Sequence, residues 1–260
     1  MSFLDTKSRK ASASGGGLWE FVLVIIQALV LALLVRTFLY QPFNIPSGSM
    51  KSTLLVGDYI FVSKMSYGYS RYSFQGGLNL FSGRKFASLP TRGDVAVFKL
   101  PRDTSVDYIK RVIGLPGDRI QMVKGVLYIN DKAVPKVYVD EFDTVDCDRN
   151  NQNCRPVRYK RYQETLPNNV KHYTLDLYED GGLDNTDVYN VPEGHYFMMG
   201  DNRDNSEDSR VTRSVGPVPV DNFIGRADVI WFSGDEAWSF LKFWTWPSHI
   251  RWSRFFSGVR

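Results

Sequence analysis

Two serines flank a single glycine in IPSGSM (45–50): Ser47 and Ser49, directly after Pro46. A serine hydroxyl attacks a carbonyl only when a neighbouring base takes its proton. The three histidines, His172, His195 and His249, sit in no motif-like setting. None adjoins a G-x-S-x-G elbow and no H-E-x-x-H occurs. Each reads as a surface or packing residue, although a Ser-His-Asp triad drawn from distant segments stays open on sequence order alone. S-x-x-K occurs as SGRK (82–85) and SFLK (239–242), but without S-D-N or K-T-G both read as coincidence. The chain has neither a P-loop nor a dinucleotide fingerprint.

A lysine is the remaining base. It serves only as the neutral amine, so its pKa must fall well below the usual ~10.4. Burial among apolar groups lowers it by up to ~3–5 units. Lys110, in DYIKRVIGLPGD (107–118), stands mid-strand among Tyr108, Ile109, Val112 and Ile113. Strand alternation puts Tyr108 on the same face as Lys110, where its ring would shield the amine. Taken alone, a strand lysine is as readily a solvated side chain. A third segment, MMGDNRDNSEDSR (198–210), follows a hydrophobic strand and crowds Asp, Asn, Arg and Ser into a few residues.

The elements that must position these groups begin with an apolar run, LWEFVLVIIQALVLALLV (18–35), polar only at Glu20 and Gln27. Continued through RTFLY, it would rise roughly 30 Å as a helix, about the bilayer core. Bulky residues follow where a signal-peptide cleavage site needs small ones, and a buried helix would be unusually uniform. A membrane anchor at 18–40 is the reading adopted. Lys7, Arg9 and Lys10, against Asp5, place the 1–17 tail in the cytoplasm and everything after Tyr40 outside. ASASGGG (11–17) is a flexible spacer.

Beyond Asp58 the pattern is short Val/Ile/Tyr/Phe segments bounded by Gly, Pro, Asn or Asp, which predicts a mainly β, antiparallel domain. LPGD (115–118) predicts a type II turn and VKGVLYINDKAV (123–134) a hairpin turning at ND. The expected division is a catalytic core at 41–122 and 189–236, with a secondary β/loop lobe at 123–188 inserted between its halves. A tail at 237–260, rich in Trp, Phe and base, suits a membrane surface, with core packing as the alternative. The two cysteines, Cys147 and Cys154, would close a small disulfide loop outside the cytoplasm or remain free thiols inside it. The composition, 43% hydrophobic and 14% aromatic, excludes a disordered chain. A net charge of +4, with no nucleic-acid motif, gives no case for a nucleic-acid partner.

Taken together and in this order, IPSGSM, RGDVAVF, YIKRVIGLPGD and MMGDNRDNSEDSR resemble the boxes of bacterial signal peptidase I, over the anchor and most of the chain after it. The resemblance implies a membrane-anchored, mostly antiparallel β serine endopeptidase. It would cut signal peptides from exported preproteins after A-x-A-like small residues, by a Ser-Lys dyad and without metal or cofactor. Its place would be the outer face of the bacterial cytoplasmic (inner) membrane, against the lipid bilayer and near the protein-export machinery. Ser49 would be the nucleophile and Lys110 the base. Ser47 would help hold the oxyanion, Ser206 would bond and orient the lysine amine, and Asp208 and Arg210 would brace the region as an ion pair. Gly200, Asp201, Asn202 and Arg203 would be structural support. Phe43, Ile45, Leu54, Ile60, Val97, Tyr108 and Ile109 fall at pocket-lining positions. Two departures stand out: Ser52 replaces a common proline, and Lys51 adds an amine beside the nucleophile, expected to be solvated. One anchor is present where some members carry two. A LexA-type self-cleaving protease and an inactive membrane-anchored β scaffold are the rival readings.

Overall fold

A computed structural model of the chain describes residues 17–73, 83–147, 154–235, 238 and 243–260. The 1–16 tail, with its three basic residues and most of the spacer, lies outside these residues, as do Ser82, SFLK and part of the aromatic tail.

The apolar run forms helix α1 (Leu18–Phe38), none of whose residues is buried. Its mean hydropathy of 2.6 and its 21 residues suffice to cross a membrane. Arg36, in its last turn, complements the negative end of the helix dipole. Then follow β1 (Tyr40–Asn44), β2 (Asp58–Ser63), β3 (Val95–Leu100) and β4 (Asp103–Gly114). Next come β5 (Arg119–Val123), β6 (Val126–Ile129), β7 (Lys132–Ala133), β8 (Lys136–Cys147), β9 (Cys154–Thr165), β10 (Lys171–Asp176) and β11 (Tyr189–Asn190). The chain ends with β12 (His195–Met199), β13 (Val218–Pro219), β14 (Phe223–Ser233), the short helix α2 (Trp246–His249) and β15 (Ser257–Gly258).

Among the described residues three sheets result, all of them antiparallel. The largest runs β1-β2-β14-β3-β4-β12-β13, with β15 on β14. Between β4 and β12 the chain builds the other two, β11-β5-β6-β7 and β10-β9-β8. The segment inserted between β4 and β12 starts with β5 at Arg119, which pairs with β6 and β11 rather than with the large sheet. The predicted turns have the backbone their sequences dictate. Gly117 has φ +84° and the Asp118 N–H donates to Leu115 O at 3.0 Å, as Pro-Gly in a type II turn requires. Asn130 and Asp131 both have positive φ (53° and 65°), the conformation of a type I′ hairpin loop. Cys147 and Cys154 face each other across the β8–β9 hairpin and are joined as a disulfide.

The tail packs and projects at once. β15 pairs with β14, the Phe255 ring meets Phe232, and Arg254 Nη2 donates to the buried Asp58 carboxylate at 2.5 Å. Trp244, Trp252 and Phe256 remain exposed.

Candidate active site

Three segments converge above the large sheet. The first is the serine turn. From Pro46 the extended Ser47 leads into a single 3-10 turn, Gly48–Met50. Met50 and Leu54, fully buried with Ile45 and Ile60, hold that turn on the sheet. Burial of two such side chains is worth ~2 kcal/mol or more each. Ser49 is left 7% exposed, and Ser47 Oγ lies 3.5 Å from Ser49 Oγ.

The second segment is β4. Lys110 stands opposite the small Ala96 of β3 and is 4% exposed. Its Nζ is 2.7 Å from Ser49 Oγ and 3.1 Å from Ile109 O. The Tyr108 ring centre is 5.2 Å away, as same-face alternation predicts. Burial, the largest influence, pushes the Lys110 pKa from 10.5 down to about 8; Asp208, Asp201 and Glu207 oppose this and Arg210 reinforces it. The next residue, Arg111, points to the opposite face of the strand. There its Nε and Nη2 donate to Asp201 Oδ1 and Oδ2 at 2.8 and 2.7 Å, and its Nη2 also reaches Thr53 Oγ1 at 3.1 Å.

The third segment follows β12. The Asn202 N–H donates to Ser49 O at 3.0 Å and Asn202 Nδ2 to Gly48 O at 3.3 Å, so this loop grips the serine turn from behind. Gly200 is required there, since a Cβ would lie 2.1 Å from Ser206 Oγ and 2.6 Å from Ser49 O. Arg210 Nε and Nη2 each donate to Asp208 at 2.9 Å, and the Gly200 N–H donates to Asp208 Oδ2 at 3.0 Å. Burial would raise the Asp208 carboxyl, but Arg210 holds it below the usual carboxylate range. Arg203 extends the brace into the inserted segment through buried Glu164, at 2.8 and 2.5 Å.

In front of the serine–lysine pair lies a cleft of about 770 Å³. Phe43, Ile45, Ile60, Val97, Tyr108 and Ile109 line it together with Ser47, Ser49 and Lys110. Three expectations need correction. Leu54 does not line the cleft; it is in the core beneath the turn, where its packing anchors the serine segment. The buried Ser206 hydroxyl lies against Gly200 and beside the Asp208 carboxylate, while the Lys110 amine meets Ser49 Oγ and Ile109 O rather than Ser206. Lys51 is not solvated but 5% exposed, because Val145 O and Asp146 Oδ1 of β8 both accept from its Nζ at 2.5 Å.

The histidines stand apart from the cleft. His172 is buried on β10 and, by desolvation first and the nearby Arg111 second, titrates at about 4. His195 and His249 pair with Glu193 O and Asp235. Among the described residues Asp176, Asp184 and Asp204 bring carboxylate oxygens within 4.8 Å of one another, but Lys136 already pairs with Asp176 and no dyad residue takes part. Arg111, Thr53, Glu164 and Asp146 were not singled out from sequence. For Arg111 a partial signal existed: strand alternation puts it on the face opposite Lys110, toward whatever packs there.

A serine hydroxyl against a buried, low-pKa amine, at the floor of a partly apolar cleft, is an arrangement suited to acyl transfer. The sequence profile of the family described as "Signal peptidase, peptidase S26" matches residues 18–232. Curated relatives include Signal peptidase I of Rickettsia conorii, 43% identical over 274 aligned positions that cover 98% of this chain and 97% of that one. The Rickettsia prowazekii Signal peptidase I is 42% identical over 272 positions with the same coverage. A signal peptidase I crystal structure from Enterococcus faecalis V583 aligns at 25% identity over 54% of this chain and 97% of that one, with a TM-score of 0.30. The chain belongs to the signal peptidase family, peptidase S26. It is thus a peptidase of the kind that removes signal peptides.

Proposed function

We propose that this chain removes signal peptides from exported preproteins as a Ser-Lys endopeptidase at the outer face of a bacterial cytoplasmic membrane. The observation that carries this reading is the 2.7 Å contact between Lys110 Nζ and Ser49 Oγ in a desolvated setting.

The neutral amine of Lys110 accepts the Ser49 proton as Oγ attacks the scissile carbonyl. The oxyanion that forms is met by the Ser47 hydroxyl and the Ser49 N–H, donors of the kind worth about 3–4 kcal/mol each. The Lys110 ammonium then returns its proton to the departing amine, leaving an ester on Ser49. A water, deprotonated by the same amine, attacks that ester, and the returned proton restores Ser49. Tyr108 and the strand neighbours keep the amine dry, which is what makes it a base near neutral pH. The apolar wall of Phe43, Ile45, Ile60, Val97 and Ile109 suits small side chains before the cut, by excluding bulk.

Orientation follows from charge. Lys7, Arg9 and Lys10 hold the N-terminus in the cytoplasm, α1 crosses the bilayer, and the β domain works outside, near the export machinery. Exposed Trp244, Trp252 and Phe256 suit contact with the lipid headgroups. The test is incubation of the detergent-solubilised full chain with a labelled preprotein. Ser49→Ala and Lys110→Met are each expected to abolish cleavage while keeping the wild-type melting profile cooperative. Cleavage by Lys110→Met at the wild-type rate overturns the dyad.

A further inference from the structure

The Lys51 side chain folds back over the glycine between the two serines. A Cβ on Gly48 would stand 3.1 Å from Lys51 Cε and 3.3 Å from its Cδ, so the lysine stem lies directly on the turn that presents Ser49. Its ammonium then reaches across to the inserted segment, to Val145 O and Asp146 Oδ1 at 2.5 Å each. Asp146 is itself fixed. Its other oxygen accepts from the Tyr159 hydroxyl of β9, and the next residue, Cys147, is bonded to Cys154 across the hairpin. One residue further along the serine segment, Ser52 Oγ donates to Tyr173 O of β10 at 2.7 Å. Lys51, Asp146 and Cys147 all line the cleft that holds Ser49 and Lys110.

A backbone turn built on glycine has little stiffness of its own. Here a partly buried ion pair holds a side chain over it from a sheet 95 positions away in sequence. We propose that Lys51 is a positioning residue for Ser49, and that Asp146 on the β8–β9 hairpin is the anchor that holds it in place. The inference rests on Ser49 being the nucleophile. The pair neither touches the reacting carbonyl nor moves the Ser49 proton; it sets where Oγ sits relative to Lys110 Nζ. Misplacement of a reacting atom by about 1 Å costs on the order of 10²-fold in rate.

The experiment uses the full chain in detergent with a labelled preprotein, comparing Lys51→Met, Asp146→Ala, the double variant and Lys51→Arg. The expected result is a kcat lower by about 10- to 100-fold in both single variants, with KM changed less than roughly twofold. The double variant is no slower than the slower single one, because the two act as one unit. Lys51→Arg recovers most of the rate, and the pH limb of the wild type persists in every variant. Wild-type kcat in Lys51→Met overturns the inference, as does a lower melting temperature without a lower kcat, which is a fold brace only. Loss of the pH limb in Lys51→Met also overturns it, by assigning proton transfer to Lys51. If Lys51→Met does not fold, Asp146→Asn carries the same kcat test with every heavy-atom position retained. Ser49→Ala run alongside separates the two readings: activity there removes the nucleophile itself, whatever the pair does.

Discussion

Lys110 and Arg111 are consecutive on β4, yet one amine meets Ser49 Oγ at 2.7 Å and the other side chain clasps Asp201 on the opposite face at 2.8 and 2.7 Å. The strand's twofold alternation thus separates an amine whose pKa burial lowers from a guanidinium that stays charged. The fixed guanidinium also locates the loop that grips the serine turn, since Asp201 precedes Asn202.

Arg111 and Asp201 are both almost fully buried, so neither charge tolerates losing the other. Arg111→Met and Asp201→Leu are each expected to destabilise the β domain by about 3–5 kcal/mol. The double variant is expected to recover part of that loss. Denaturant unfolding of the three variants checks this, and additive losses would contradict it.

Ser47 Oγ lies 3.5 Å from Ser49 Oγ, where the proposed mechanism would form the oxyanion. Ser47→Ala is expected to lower kcat by about 10²–10³-fold with KM little changed. Steady-state kinetics on a signal-peptide substrate measures the split, and a loss confined to KM would remove the oxyanion role.

The Lys110 pKa of about 8 has consequences for both rate and stability. The rate is expected to rise with pH through about 8, as the amine loses its proton. The folded-state pKa is depressed from 10.5, so between pH 8 and 10.5 the unfolded chain binds the extra proton. Burial of the ammonium therefore costs stability in full below pH 8, and the cost disappears as pH rises through that window. Lys110→Met is expected to be more stable than wild type at pH 7 by up to about 3 kcal/mol, with the gap closing toward pH 10.5. Melting both proteins across this range tests it; a gap independent of pH would contradict it.

Gly200→Ala would drive a methyl into Ser206 Oγ and Ser49 O. Because Ser49 O is part of the serine turn, activity is expected to fall more steeply than stability, which overpacking lowers by about 1–3 kcal/mol. Activity unchanged in a folded Gly200→Ala would show that the turn yields without consequence.

Much of this was legible locally. The Lys110–Tyr108 pairing follows from alternation alone, and the loops at Gly117 and Asn130–Asp131 follow from residues that tolerate positive φ. The apolar run and the β pattern dictated the anchor and fold class. Three assignments were out of reach for one reason: each depends on which distant segment packs against a side chain. Nothing near Lys51 in sequence announces Asp146. Leu54 has the right chemistry for a cleft wall, but the core beneath the turn claims it. Ser206 has the right hydroxyl, but it packs against Gly200 beside the Asp208 carboxylate. Glu164 reads as a strand-surface acid until Arg203 is brought against it.

A single residue, Leu39, separates α1 from β1, and Ser49 comes about a dozen residues after the helix, within ~40 Å of contour. With α1 in a bilayer, the protease and any tethered precursor are confined to one plane and meet by lateral diffusion rather than by search through a volume. Confinement of that sort raises the local concentration of each for the other. The cleft can then hold its peptide weakly, release product quickly, and still turn over the membrane's traffic.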